Sequence, residues 1–113
     1  MANLLIVDGQ GRRRVQIELE AAARGHKSYS SGNAAEAATM ITIYVPEAIL
    51  APDRSASKVI DWLQESGDPK LKRIVVVSAS EAPQSNGIRV ERARNGSAAS
   101  MLDALEVALA IEE

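Results

Sequence analysis

Residues 3–14 read NLLIVDGQGRRR, and the first half of that stretch decides the fold. Asn3 leads an unbroken aliphatic run, Leu4 to Val7, which stops at Asp8-Gly9. A run of this kind ended by a turn pair is the pattern of a strand covered on both faces. Such strands belong to parallel sheets, so strands and covering helices should alternate along the chain. The second half, Gly9 to Arg14, admits three readings. It is a glycine turn that cradles a phosphate, the remainder of an acid site, or a tight turn between strand and helix.

The expected alternation continues. Residues 13–24 are good helix formers with Gly25 as a stop. HKSYSS, residues 26–31, is a short polar strand suited to a sheet edge. Residues 32–44 form a second helix, with Asn33 and Glu36 spaced as a capping box and Ala37, Met40, Ile41 and Tyr44 as the inward stripe. Pro46 breaks it, and residues 47–51 are a third strand. A third helix covers 56–66, with Val59, Ile60, Trp62 and Leu63 on or near one face and Gly67 as its stop. KRIVVVSAS, residues 72–80, is the strongest strand pattern, and GIRVERA, residues 87–93, is a fifth. Residues 97–113 are the last helix, with Met101, Leu102, Leu105 and Leu109 turned inward. Between the fourth and fifth strands, ASEAPQSNG (residues 79–87) leaves room for a turn or two of helix at most, since an average helix takes about three turns.

Composition narrows the class. The 113 residues contain 46% hydrophobic and 25% charged side chains, which is globular rather than disordered. Phe is absent, so the core is aliphatic. A net charge of -2 gives no overall drive toward nucleic acid or an anionic membrane. Without cysteine there is no disulfide or thiolate metal site, which fits a cytoplasmic protein. No apolar run approaches the roughly 20 residues of a membrane span, and no basic leader precedes the first strand. One domain over residues 1–113 is expected. The last helix reaches the terminus without a stop signal, so a continuation into a longer protein is conceivable.

Five segments in order resemble the receiver domains of bacterial response regulators, over residues 3–110. LLIVDG (4–9) resembles their first strand and its acid end. GHKSYSSGNAAEAA (25–38) is similar to their second strand and alanine-rich second helix. PEAIL (46–50) resembles the entry into their third strand. VVVSAS (75–80) resembles the fourth, and IRVERA (88–93) falls where the fifth ends in Lys-Pro. The resemblance implies a CheY-like, flavodoxin-like sheet in strand order 2-1-3-4-5, with the helix between strands four and five shortened or missing.

The resemblance also implies a phosphoryl-transfer pocket at the carboxyl ends of the strands. In the family, an acid pair after strand one and an aspartate ending strand three hold Mg²⁺, and that aspartate accepts the phosphoryl group. A hydroxyl after strand four and a lysine after strand five bind its oxygens. Carried over residue by residue, the set is depleted. Asp8 keeps the first acid and Gly9 replaces the second. Pro52 stands at the acceptor position, Ser78 keeps the hydroxyl, and Arg92 replaces the lysine with Ala93 following. Asp53 could reach the pocket by a one-residue slip. Alternation along a strand points such a group the wrong way, so Asp53 is expected to begin a turn or cap the third helix.

Other candidates are weaker. Gly9 to Arg14 lacks the third glycine of a dinucleotide fingerprint and the lysine of a P-loop. Arg12, Arg13 and Arg14 point to different sides of a helix and read best as a solvated helix start. His26 is the only histidine and falls at the wrong end of strand two for a site above the sheet. With no cysteine and no second histidine, neither a metal site nor a histidine-based triad can be assembled. Ser78 has no base beside it in the sequence. Trp62 is expected to pack partly into the core. Arg89, Arg92 and Arg94, with Ser80 and Glu81, would form the altered partner surface, because the family meets its partners around strand five.

The expectation is therefore a pseudo-receiver. It would be a phosphorylation-independent protein interaction module in bacterial two-component signalling, motility or regulation, with no enzymatic activity, metal or cofactor. Its partner would be a protein, a second copy in a homodimer included, with no nucleic acid and no membrane span. The alternatives are a phosphorelay receiver that accepts phosphate on Asp53, and a small-anion or nucleotide binder using the Gly9–Arg14 turn.

Overall fold

The computed structural model describes residues 2–79 and 88–112. In chain order the elements are β1 (Asn3–Val7), α1 (Gly11–Ala23), β2 (Lys27–Ser31), α2 (Ala34–Tyr44), β3 (Ala48–Leu50), α3 (Ser55–Ser66), β4 (Val75–Ser78), β5 (Val90–Arg92) and α4 (Ala98–Glu112). The strands form one parallel sheet in the order β2-β1-β3-β4-β5. This is the expected order, and the helices lie on both faces. The expected short or missing helix between β4 and β5 falls on residues 80–87, outside the described residues, as do Ser80 and Glu81.

Alternation along the strands builds two cores. Leu4, Ile6, Ala48, Leu50, Val75 and Val77 face α1 and α4, meeting Ile17, Ala21, Met101, Leu102 and Leu105. Their neighbours Leu5, Val7, Ile49, Ala51 and Val76 face α2 and α3, meeting Ala37, Ile41, Val59, Ile60 and Leu63. The central strands carry no polar face, which is why their sequences read as unbroken apolar runs. β2 is an edge strand and keeps its polar sequence, as expected. Trp62 packs partly against the second core. Arg24 fastens α1 to α4, donating to Glu20 at 2.8 Å and to Asp103 at 2.8 Å.

Several boundaries differ from the sequence reading, each for a local reason. α1 starts at Gly11 rather than residue 13, because the Gln10 carbonyl accepts the Arg14 N–H at 3.0 Å. That shift draws Arg12 and Arg13 into the first turn. β4 starts at Val75, because Leu71–Arg73 form a 3₁₀ turn after Asp68, whose carboxylate accepts the Lys70 N–H at 2.9 Å. Asn33 does cap α2, its side-chain oxygen accepting the Glu36 N–H at 2.8 Å. The reciprocal half of the expected capping box is replaced, since the Asn33 N–H goes to the Ser31 hydroxyl at 3.3 Å. Tyr44 is not part of the inward stripe. It is 48% exposed and stacks on Tyr29, with ring centroids 4.2 Å apart.

Gly67 ends α3 in the left-handed conformation, as its position predicts, but α2 ends the same way at Val45, with φ of 43°. A β-branched residue in that region is strained by roughly 1–2 kcal/mol. Val45 is 43% exposed, so its replacement loses little burial. Val45→Gly should therefore stabilise the domain by about 1 kcal/mol, read as a higher urea midpoint with an unchanged slope.

Candidate functional site

The carboxyl ends of β1, β3, β4 and β5 meet at one rim of the sheet. Ile6 pairs with Leu50, Leu50 with Val77, and Ser78 with Arg92. That register brings Asp8, Pro52, Asp53, Ser78 and Arg92 to the same rim, where the resemblance places the receiver pocket.

Asp8 is its centre. The residue is 0% exposed, and its backbone N–H donates to the Ser31 carbonyl at 3.0 Å. Its carboxylate accepts from Arg13 on both oxygens. Arg13 Nε lies 2.6 Å from Oδ2 and Arg13 Nη2 lies 2.8 Å from Oδ1. The Gln10 N–H reaches Oδ1 at 2.9 Å, and Arg14 Nη1 reaches the Asp8 carbonyl at 2.9 Å. Burial alone pushes the Asp8 carboxyl upward. The Arg13 and Gln10 hydrogen bonds, with the guanidinium charge, more than offset this and hold it below its ordinary value. Arg13 is raised in return, chiefly by its bond to Asp8.

The local fold explains the reach. Arg13 lies in the first turn of α1, and side chains there lean back toward the helix N-terminus, where β1 ends. The sequence reading of a solvated arginine cluster is thus corrected for two of its members. Arg12 is exposed, while Arg13 and Arg14 turn inward to Asp8. Of the three cations that a phosphate-cradling Gly9–Arg14 turn would use, Arg13 and Arg14 are engaged by Asp8 and Arg12 is exposed.

Asp53 joins the same group. Its Oδ1 accepts the Ser55 N–H at 2.9 Å, opening α3 as expected, and its Oδ2 lies 3.3 Å from Arg13 Nη2. The wrong-way argument from strand alternation fails here because β3 has already ended at Leu50. Asp53 also borders an open cleft of about 400 Å³ between the starts of α2 and α3, with Asn33, Arg54 and Lys58. Pro52 is buried, and both it and the Arg13 stem lie close to Gly96. A Cβ on Gly96 would lie 3.7 Å from Pro52 Cβ and 3.9 Å from Arg13 Cδ.

The remaining candidates divide. Ser78 is buried, and its carbonyl accepts the Ala93 N–H at 2.8 Å. Val90 packs toward α2 and α3, and Arg92, at the end of β5, is exposed. Arg89 is half-buried on the opposite side by alternation, and Arg94 is exposed. Arg92 and Arg94 border a second groove with Glu91, Ser100 and Asp103. His26 sits at the far end of the sheet, its Nδ1 accepting the Ala2 N–H at 3.1 Å.

With this geometry in place, comparison with solved structures identifies the backbone. The chain superposes on the chemotaxis response regulator CheY4 of Vibrio cholerae with a TM-score of 0.70 at 13% identity, covering 94% of this chain and 97% of that one. The fold is that of a receiver domain. The signal receiver domain of the putative response regulator NarL from Mycobacterium tuberculosis gives 0.70 at 14% identity, over 95% of this chain and 94% of that one. The pseudo-receiver domain of the CikA protein gives 0.67 at 16%, over 94% and 95%. No protein-family model matches the sequence, and no curated protein does. At these identities the receiver fold is what is shared, and function has to be argued from the site.

The Mg²⁺ that receiver chemistry implies does not fit these residues. The ion takes an octahedral shell of oxygen ligands. Gly9 and Pro52 offer no side-chain oxygen, and both Asp8 oxygens already accept from Arg13. Among the described residues, no group of three or more His, Asp or Glu side chains comes together to hold a metal.

The sequence signal for Arg13 was the local contradiction it creates. Basic residues in a first helical turn oppose the helix dipole, and a buried acid five positions earlier is what offsets them. Because Asp8 titrates below its unfolded value near 3.8, its stabilisation is complete above that value and is lost as pH falls through the folded one. Urea unfolding from neutral pH downward should show a loss setting in near pH 4. Asp8→Asn should be less stable by about 2 kcal/mol at neutral pH, below the usual loss for a broken buried pair because Arg13 is partly exposed, and should lack that acid limb.

Proposed function

We propose that this domain is a pseudo-receiver, a protein interaction module that works without phosphorylation in bacterial signalling or regulation, in the cytoplasm, with no catalytic step of its own. One observation carries the reading: the Arg13 guanidinium takes both oxygens of the buried Asp8 carboxylate. Pro52 adds to it, since a proline side chain cannot attack a phosphorus centre. Without an acyl phosphate there is no charge change to bias two conformations. Control then comes from a partner's preference for one state. The exposed Arg92 and Arg94, bordering the groove of β5 and α4, are the contact surface this reading favours.

The phospho-accepting alternative has one observation in its favour, the Asp53 carboxylate at the edge of the open cleft. Acetyl phosphate with Mg²⁺ separates the two. The intact mass should stay unchanged, and beryllofluoride should leave Trp62 fluorescence as it was. A stoichiometric adduct that disappears in Asp53→Asn would overturn the pseudo-receiver. A second measurement addresses the interaction role. In cells lacking the gene, Asp53→Asn should complement fully, while Arg92→Glu with Arg94→Glu should fail at normal protein levels. The reverse pattern would favour phosphorylation.

A further inference from the structure

At the opposite end of the sheet from Asp8, where β3 and β4 begin, a groove of about 370 Å³ lies between the end of α2 and the 3₁₀ turn Leu71–Arg73. Val45 and Pro46 line it from the α2 side, Lys70 and Arg73 from the turn, with Glu47 and Ile74 completing the wall. Among the described residues six large hydrophobic side chains are exposed, and three of them, Ile43, Tyr44 and Val45, are consecutive here. Cations are gathered at the same place. Lys70, Lys72 and Arg73 are exposed, while Leu71 and Ile74 of the same segment are buried and fix it to the core. Among the described residues none of the three cations has a salt-bridge partner. The neighbouring acids are turned to backbone groups. Glu47 Oε1 accepts the Asn3 N–H at 3.3 Å, and Asp68 Oδ1 accepts the Lys70 N–H at 2.9 Å. On a chain of net charge -2 this end is a local positive surface beside exposed apolar side chains.

Val45 adds an independent observation. It holds the left-handed conformation at φ 43°, which glycine takes without strain, yet its side chain is exposed and lines the groove. Strained backbone of this kind gathers where a side chain is needed for binding. We propose that the groove docks a short segment of a partner protein in which an aliphatic side chain stands next to carboxylates. The aliphatic side chain seats against Val45, Pro46 and Ile74, and the carboxylates meet Lys70 and Arg73, where the charge is complementary and unpaired. The groove is near the small end of ligand-pocket sizes, which suits inserted side chains rather than the flat face of a bilayer. This site is separate from the Arg92 and Arg94 groove, and it stands whether or not Asp53 accepts phosphate.

The test is an amide NMR titration of the full chain with the capped peptide EDLIED. The peptide QNLIQN removes its charge and EDSSED removes its aliphatic pair. EDLIED should shift the amides of residues 43–47 and 70–74 and leave those around Arg92 and Arg94 in place, with a dissociation constant in the millimolar range or tighter. Each control peptide should bind about tenfold more weakly, and added NaCl should weaken EDLIED severalfold. Lys70→Glu with Arg73→Glu should cost about tenfold in affinity. Val45→Gly should cost about fivefold while melting no lower than the wild type, so the loss is not one of folding. Arg92→Glu with Arg94→Glu should leave the affinity as it was.

Absence of shifts in both segments at millimolar EDLIED would overturn the proposal. So would equal binding of QNLIQN or EDSSED, or an affinity unchanged in Val45→Gly. Loss of peptide binding in the Arg92 and Arg94 variant would overturn it as well, by moving the contact to the other groove. Vesicles of phosphatidylcholine and phosphatidylserine provide the last comparison. If they bind the wild type through Lys70, Arg73 and Val45 and the peptide does not, the surface is a membrane contact and the proposal fails.

Discussion

A fully buried negative charge lies at the end of β1, and the architecture around it is arranged to meet that charge. Asp8 terminates β1, the strand flanked on both sides in the sheet, and its backbone is already tied to Ser31 of β2. The counter-charge has to come from the next element, and α1 supplies it by starting two residues earlier than its hydrophobic pattern suggests. The start of α1 and the inward turn of Arg13 are both consequences of that buried carboxylate.

Arg13 also links the two helix layers across the rim of the sheet. Arg13 belongs to the helix layer built on Leu4, Ile6 and Leu50, while Asp53 opens α3 on the opposite layer. A contact that spans the rim couples the two faces where receiver domains, by the resemblance, carry their chemistry. Here the coupling consists of the Arg13, Asp8 and Asp53 side chains.

The fold was legible because the strands say so little else. Leu4 to Val7 and Val75 to Val77 are apolar on both faces, and only a doubly covered parallel sheet accommodates such runs. That Gly9 and Pro52 bring no side-chain oxygen to the rim was equally readable, since no geometry gives either side chain one. Arg13 was not read. Periodicity assigns residues to faces of a helix but is silent on the first turn, where side chains leave the helix surface and bend toward whatever precedes them. Asp53 opens α3 as read, but its reach to Arg13 was missed for a related reason: alternation holds only while the strand lasts, and β3 stops three residues before it. Tyr44 escaped because an aromatic ring at a helix end found a second ring on an edge strand, a contact between segments that no single periodicity describes.

Asp8 and Arg13 are five positions apart in the chain, and this proximity bears on how the domain assembles. A pocket gathered from the ends of separate strands exists only once the sheet is complete, since each member waits on distant segments to close long loops. The Asp8–Arg13 bridge needs only one strand, one turn and the start of one helix. It can form in the first β–α unit and remain as later strands dock beside it, so the most polar element of the interior is also among its earliest and most local.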